Sequence, residues 1–279
     1  MSVHMSQRSS LNALVSSLWR HRQLIGQMTK REVIGRYRGS ALGIAWSFLN
    51  PLMMLSVYTF VFSVVFKSRW GNSTTLTNDS HAMFAIMLFV GLIVHGLFAE
   101  VINRSPGLII SNVNFVKKVI FPIEILPIVS MGAALFHSAI STLVLILAYI
   151  AFLGAPQWTS IFLPLVLLPL VTLTLGISWF LASIGVFLRD VSQTMAIFTT
   201  VMLFMSPVFF PLSALPERFR PFIMANPLTF IIEQSRTVLI EGKIPDIQGL
   251  TIYFLISTLV AWAGFAWFQK TRKGFADVL

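Results

Sequence analysis

The chain has 279 residues, of which 56% are hydrophobic and 11% are charged, and its formal net charge is +10. Soluble domains carry about 25% charged residues, so the composition favours a membrane protein over a soluble one. The basic residues do not gather on one face and no RNA-binding aromatic signature is present, which argues against a nucleic-acid-binding protein. Because the chain has no cysteine, disulfides, a thiol nucleophile and a Cys-based zinc site are excluded.

An amphipathic helix is predicted within the N-terminal region, residues 1–40. Arg20, Arg22 and Lys30 interleave with an apolar face formed by Leu11, Leu14, Val15, Leu18, Ile25 and Met28. This pattern is typical of a helix that lies on the inner leaflet, and it would place Trp19 at the depth of the lipid headgroups.

Six charge-free apolar stretches follow, within a single transmembrane domain of residues 41–279. About 20 apolar residues cross the hydrocarbon core as a helix, and each stretch is about that long. The predicted spans cover residues 41–66, 82–99, 125–153, 161–188, 191–212 and 250–268. The sequence therefore predicts an all-α polytopic membrane protein with six transmembrane helices.

The basic residues indicate the orientation of these spans. Cytoplasmic loops carry an excess of Lys and Arg. With the N-terminus inside, 14 of the 20 basic residues fall on the cytoplasmic side. We therefore predict that both termini are cytoplasmic.

Two connecting segments differ from simple loops. Residues 100–124, predicted as cytoplasmic, carry a helix-start signal at Ser105 and Pro106 and a stop at Pro122, which is compatible with a short helix that docks into a partner or with a loop on the membrane surface. Residues 217–241, predicted as external, are too apolar for a free loop and too interrupted for a span, so we predict two short re-entrant helices.

Motifs and charged residues that are absent from the sequence argue against several kinds of transporter. A transporter driven by ATP needs a G-x-x-x-x-G-K-[ST] loop, which does not occur here, so any ATPase is expected on a separate chain. The six predicted spans contain no Asp, Glu, Lys or Arg, and only His95 and His137 could titrate within them, which argues against ion-coupled transport. Six spans without an internal repeat favour a homodimer.

Aromatic residues line one face of the first predicted span at i, i+4 and i+8, namely Tyr58, Phe62 and Phe66. The fifth predicted span adds Phe198, Phe209 and Phe210. Such stripes are typical of lipid-facing or core packing, and the alternative is a pore in which sugar faces slide along aromatic rings. The sequence leaves both interpretations open.

Four stretches together carry a family resemblance: RYRGSALGIAWSFLNPLM from residue 36, NRSPGLIISNVNFVKKVIFPIEILP from residue 103, FLRDV from residue 187 and NPLTFIIEQSR from residue 226. They resemble the permease subunit of type-2 ABC exporters of polysaccharides, in particular the Wzm-type permeases of O-antigen export, with capsule and teichoic-acid permeases as near relatives. The resemblance extends from about residue 18 to residue 273.

This resemblance implies a homodimeric permease in the bacterial inner membrane with two copies of an ABC ATPase subunit, which would hold ATP and magnesium. The chain itself would not be an enzyme and would hold no cofactor or metal. The substrate would be a glycan on undecaprenyl diphosphate, exported through a continuous channel, with O-antigen first and capsule or teichoic acid as alternatives. The lipid would enter between the first and fifth spans.

The resemblance also implies roles for particular residues. Arg36 and Arg38 would attract the lipid diphosphate at the entry gate, and Glu233 and Arg236 would belong to external gate helices in the segment 217–241. The N-terminal helix would act as an interface helix that touches the ATPase, and coupling to the ATPase would use Val113, Asn114, Phe115, Lys117 and Lys118. In the basic run, Gly39 and Gly43 are expected to allow close backbone approach, and Pro51 is expected to kink the first span.

Two rival functions make different demands on the sequence. A type-2 ABC exporter of drugs or small lipids would more plausibly keep a closed apolar pocket. A membrane-embedded glycan-lipid transferase would need clustered carboxylates or histidines, whereas the acidic residues here are dispersed along the sequence.

Overall fold

The computed structural model describes residues 11–61, 78–116 and 121–279, and all regular elements in these ranges are helical. The helices are α1 (Leu11–Arg20), α2 (Arg22–Arg36), α3 (Trp46–Tyr58), α4 (Asn78–Arg104), α5 (Val113–Val116), α6 (Leu126–Leu153), α7 (Leu163–Phe187), α8 (Val191–Phe204), α9 (Arg220–Met224), α10 (Pro227–Arg236), α11 (Ile247–Thr271) and α12 (Phe275–Val278). The all-helical fold class is confirmed for the described residues.

The predicted N-terminal helix is present but is divided at His21 into α1 and α2. Trp19 is 71% exposed, as a residue at headgroup depth would be. In contrast, α2 buries Met28 and Val33 and packs along α6, where a side chain on Gly132 would collide with Thr29. Part of the face that was predicted to contact lipid therefore contacts the protein.

Among the described residues, five helical segments are long and apolar enough to cross a membrane: Gly43–Val61, Ala82–Gly107, Ile123–Leu153, Trp158–Phe187 and Ile247–Gly274. The predicted fifth span contains α8, which has 14 residues and therefore rises only about 21 Å, short of the hydrocarbon core. The number of six spans and the cytoplasmic placement of both termini are still predictions.

Helix α4 is the centre of the bundle. Every residue from 84 to 91 is buried, and α4 packs against α6, α7, α8 and α10. The outer helices expose large apolar side chains, including Leu143 and Leu147 on α6 and Leu255 and Leu259 on α11. Such exposed apolar faces suit contact with lipid or with another protein.

Helices α7 and α11 form the closest helix pair. Only glycine fits at positions 176 and 264. A Cβ on Gly176 would lie 2.7 Å from the backbone of Ala261, and a Cβ on Gly264 would overlap the Gly176 carbonyl. Small residues at membrane helix contacts allow this approach of the backbones.

The connection that was predicted to begin at residue 100 begins about one helical turn later, because α4 continues to Arg104. Glu100 and Arg104 belong to the last turns of α4. Ser105–Gly107 forms a 3₁₀ turn at the position where a helix start was predicted. After α4, the only α-helix among the described residues of this segment is the four-residue α5. Leu108 and Ile109 are buried in a second core cluster, shared with α2, α7 and α11.

The segment 217–241 contains α9 and α10, followed by a π-helical turn at Thr237–Glu241. Asn226 begins α10, since its side chain accepts a hydrogen bond from the Leu228 amide at 2.9 Å and Pro227 occupies the first helical turn. Two short helices are therefore present in this segment, and their placement in the membrane stays a prediction.

Candidate functional site

A groove of about 590 Å³ lies between α3, α4 and α6. Polar side chains lie beside Arg36 at one part of its wall, and aromatic and aliphatic side chains line the rest. The residues that line it include Tyr37, Ser40, Trp46, Asn50, Met54, Tyr58, Phe89, Leu92, Glu100, His137, Ser138 and Ser141. A polar or charged group and an apolar group of one ligand could therefore bind side by side.

A cluster of arginine, glutamate and histidine side chains lies where α2 meets α4 and α6, and three of its members, Arg36, Glu100 and His137, line the groove. The Arg36 guanidinium lies 2.5 Å from a Glu100 carboxylate oxygen and 3.0 Å from Nδ1 of His137. The same His137 nitrogen lies 3.0 and 3.1 Å from the two Glu100 oxygens. We call these three residues, together with Glu32 and Arg104, the mouth cluster.

The mouth cluster extends from the groove to α2. Arg104 pairs with Glu32 and lies 3.8 Å from Glu100, so Glu100 lies between two arginines. Arg36 is half exposed, and its charge is balanced by an acidic partner. An anionic ligand would therefore compete with Glu100 for Arg36.

Arg38 is placed differently from Arg36. It is exposed, it does not line the groove, and it forms no ion pair within the described ranges. The intervening Tyr37 does line the groove, and burial raises the pKa of its hydroxyl, which therefore stays protonated at neutral pH and can donate a hydrogen bond. The structure brings Arg36, and not Arg38, to the groove.

The glycines after Arg36 serve a conformational role. Gly39 has φ +88° and Gly43 has φ +52°, and no atom lies within 4 Å of a Cβ placed on either. The predicted close backbone approach is therefore wrong within this chain. Positive φ is the feature that requires glycine, because it turns the chain from α2 into α3.

The predicted channel aromatics do not form one wall. Tyr58 lines the groove, together with Trp46 and Phe89, which the sequence did not single out. Phe198 belongs to α8, which packs against α4, and Phe209 stacks on Phe204 at 5.7 Å. Phe210 is partly buried in the segment after α8, and Phe62 and Phe66 lie outside the described residues.

The residues predicted to couple to an ATPase lie at one end of the bundle. Val113, Asn114 and Phe115 begin α5, and Asn114 is exposed. Phe115 stacks on Phe121 at 4.3 Å, and the Arg31 guanidinium lies 5.8 Å from its ring. Helix α2 therefore contacts α5 through Arg31 and Phe115, and Lys117 and Lys118 lie outside the described residues.

Glu233 and Arg236 form the expected i, i+3 pair at 2.7 Å. The Arg236 side chain is also buried and donates to the carbonyls of Met87 at 3.0 and 3.1 Å and of Val208 at 3.2 Å. Arg236 therefore links α10 to α4 and to the segment after α8. A role in a gate stays a prediction.

Sequence reasoning missed the acidic and histidine members of the mouth cluster. Glu100 was placed just outside the second span, and His137 was considered only as an isolated residue of the third span. The signal for Glu100 and Arg104 was their i, i+4 spacing directly after an apolar helix. His95 makes a structural contact instead, since its Nε2 lies 2.9 Å from the Thr199 carbonyl oxygen on α8.

Comparison with known proteins adds a family and its relatives. Residues 23–240 match the family described as ABC-2 type transporter. The chain is 29% identical over 266 residues to the O-antigen export system permease protein RfbA of Myxococcus xanthus, an alignment that covers 95% of this chain and 98% of that protein.

Two further relatives match at lower identity. The O-antigen export system permease protein RfbA of Klebsiella pneumoniae is 24% identical, over 92% of this chain and 95% of that protein. The polysialic acid transport protein KpsM of Escherichia coli is 25% identical, over 87% of this chain and 91% of that protein.

Proposed function

Because the chain belongs to the ABC-2 type transporter family, we propose that it is the permease subunit of an ATP-driven exporter that moves a polysaccharide on undecaprenyl diphosphate across the bacterial inner membrane. The observation that carries this proposal is the groove beside Arg36, which combines a cationic group with aromatic and aliphatic walls. Relatives named as O-antigen and polysialic acid transport proteins support the polysaccharide class.

The groove suits the head of a lipid-linked glycan. A guanidinium binds phosphate oxygens through two parallel hydrogen bonds, and the Tyr37 hydroxyl adds a neutral donor. The aromatic rings of Trp46 and Tyr58 offer faces for sugar rings. Next to the groove, α3 exposes Leu52, Met53 and Val57, an apolar surface along which an isoprenoid chain could lie in the bilayer.

A second copy of the chain would complete the pathway. Within one chain the aromatics of α8 do not line the groove, although α8 packs against α4. Helix α8 also exposes Ile197, Val201 and Phe204, an apolar face suited to another helix. We therefore propose a homodimer, with six spans in each subunit and both termini cytoplasmic.

ATP and magnesium would bind to a separate ATPase, two copies of which would dock on the surface formed by α2 and α5. The contact between Arg31 and Phe115 supports a shared docking surface. Closure of the ATPase pair would push on this surface and move the membrane helices. The helices α9 and α10 would form the external gate.

O-antigen is the substrate we propose first, with capsular polysaccharide or teichoic acid as alternatives. The relative named for O-antigen export from Myxococcus xanthus aligns with 95% of the chain, and the polysialic acid transport relative with 87%. Complementation of two deletion strains, one lacking an O-antigen permease and one lacking a capsule permease, would separate these substrates.

Export by site variants tests the function. Arg36→Ala should lower the amount of surface glycan about tenfold or more, because loss of a charge-assisted contact of about 1.5–3 kcal/mol weakens capture of the diphosphate. Arg38→Ala should lower it less, since Arg38 does not line the groove. Surface glycan is measured by gel and blot, with membrane insertion and ATPase assembly measured in parallel.

Arg22→Ala is the matched control, because Arg22 is an exposed arginine of the same helix that contacts Trp19. This variant should export normally. Normal export by Arg36→Ala, with normal insertion, would remove the groove from the mechanism. Failure of the parent chain to restore either glycan in a suitable strain would count against polysaccharide export itself.

A further inference from the structure

Glu124 does not line the groove, and it joins four segments of the chain. Its carboxylate accepts a hydrogen bond from Arg272 at 3.0 Å and one from the Ser17 hydroxyl at 3.3 Å. Its backbone carbonyl accepts a hydrogen bond from the Trp179 indole at 3.0 Å. The N-terminal helix α1, the turn before α6, helix α7 and the C-terminal end of α11 therefore meet at one residue.

This junction is closed to water. Glu124 is 1% exposed and Arg272 is 6% exposed. The surrounding core cluster contributes buried side chains from the turn before α6, from α7 and from α11, and Leu18 of α1 packs against it; its members include Met28, Leu108, Ile109, Ile123, Trp179, Phe265, Phe268 and Phe275. We call Glu124, Arg272, Ser17 and Trp179 the buried joint.

An ion pair in such a place is not explained by stability alone. Removal of two charges from water is costly, and an apolar pair of the same shape is often as stable. The pair does fix distance and direction, because both carboxylate oxygens of Glu124 have a hydrogen-bond donor. The buried joint is therefore suited to holding segments in one arrangement.

The buried joint is connected to the proposed docking surface by a short path. Phe115 of α5 stacks on Phe121, which is three residues before Glu124 in the chain. On the other side, Arg272 directly follows the last residue of α11, a helix that packs against α7. A displacement of α5 would reach α7 and α11 through Glu124.

We propose that Glu124 is a positioning residue for transport: through Arg272, Ser17 and Trp179 it makes the α5 region and the ends of α1, α7 and α11 move as one rigid unit when the ATPase acts. This inference rests on the proposed docking of an ATPase at α2 and α5. The buried joint makes no contact with the substrate groove and acts only on how motion is transmitted.

Distance measurements on the complete complex test this rigidity. Because the chain has no cysteine, spin labels can be attached to single cysteines placed at two exposed positions, Ser111 in the turn before α5 and Val278. In nanodiscs with the ATPase, the distance between these labels should be narrow and unchanged by ATP. In Glu124→Gln, which keeps the shape and loses the charge, the distribution should broaden.

The transport readout separates positioning from folding. Glu124→Gln should keep ATP hydrolysis and ATPase assembly, while the glycan exported per ATP falls about tenfold, a size typical of coupling between sites. Arg272→Gln should do the same, and the double variant should be no worse than the poorer single variant, since both act through one pair. Arg272→Lys, which keeps the charge, should restore part of the coupling.

Asp190→Asn is the control, because Asp190 is exposed, forms no ion pair within the described ranges and should change neither readout. A narrow label distance and an unchanged export ratio in Glu124→Gln would overturn the proposal, and so would a double variant whose loss is the sum of the two singles. If Glu124→Gln does not insert, Ser17→Ala and Trp179→Phe, which each remove a hydrogen bond to Glu124, decide in the same assays, with unchanged values in both overturning the proposal. A parent complex that hydrolyses ATP without moving glycan would instead refute the proposed function, while the label distances would still test rigidity.

Discussion

The mouth cluster and the buried joint each contain a glutamate paired with an arginine, but they differ in their surroundings. In the mouth cluster, Arg36 is 51% exposed at its side chain, and Glu100 is close to His137 and Arg104 as well. In the buried joint, the side chains of Glu124 and Arg272 are 1% and 8% exposed. The first pair has further charged partners and solvent beside it, whereas the second is enclosed by the protein.

This difference teaches which charges can change partners. Arg36 is half exposed while Glu100 is 17% exposed, so an incoming anion can reach the exposed side of Arg36 and compete there with Glu100. A buried pair cannot exchange without leaving an uncompensated charge. A glutamate and an arginine can therefore bind a ligand at the mouth cluster and hold helices together at the buried joint.

The largest expected effect is on stability at the buried joint. Arg272→Met leaves Glu124 buried without its cation, so the free energy of unfolding should fall by about 3–5 kcal/mol. Arg36→Met, the matched change at the mouth cluster, should lower it by less than about 1 kcal/mol. Thermal unfolding of the purified protein in detergent measures both, and equal losses would contradict the comparison.

Arg236 offers an intermediate case, because its side chain is buried while that of its partner Glu233 is 35% exposed. Arg236→Met removes hydrogen bonds to the carbonyls of Met87 and Val208, and we expect a loss of about 3 kcal/mol from unpaired buried groups. The same unfolding assay measures it, with exposed Arg220→Met as the control. If Arg236→Met lowers the free energy of unfolding no more than Arg220→Met does, then burial of the guanidinium does not determine the loss of stability.

A smaller effect is expected on ligand affinity at the mouth cluster. Glu100→Gln removes the carboxylate that competes for Arg36, so farnesyl diphosphate, a soluble probe of the head group, should bind about fivefold more tightly, or about 1 kcal/mol. Titration calorimetry at two salt concentrations measures this. Binding should weaken at high salt, because the cluster is partly exposed to solvent. Weaker binding by Glu100→Gln would show that Glu100 supports the site instead of competing for it.

The sequence predicts the helices well because apolar length is a local property. The stretches around α4, α6, α7 and α11 are each long enough to cross, and each is observed as a helix. The fifth stretch includes Ser206, Pro207 and Pro211, and α8 ends before them at Phe204. By composition these residues belong to an apolar span, but proline lacks a backbone hydrogen-bond donor and interrupts the helix.

The candidate site is predicted less completely because it depends on contacts between distant segments. Arg36 was singled out from its place before the first span, but its partner Glu100 is 64 positions away and His137 is 101 positions away. The buried joint was missed for the same reason, since Glu124 and Arg272 are 148 positions apart. A single sequence has no signal for such pairs.

The smallest expected effect comes from the turn that positions the mouth cluster. Gly39 and Gly35 both have open space where a methyl side chain would lie, but only Gly39 has positive φ, and Gly35 lies in helix α2. Gly39→Ala should therefore lower the free energy of unfolding by about 1 kcal/mol through backbone strain. Gly35→Ala should raise it by about 0.5–1 kcal/mol through helix propensity. Thermal unfolding should show shifts of opposite sign, and shifts of the same sign would mean that the turn after Arg36 does not depend on the left-handed conformation of Gly39.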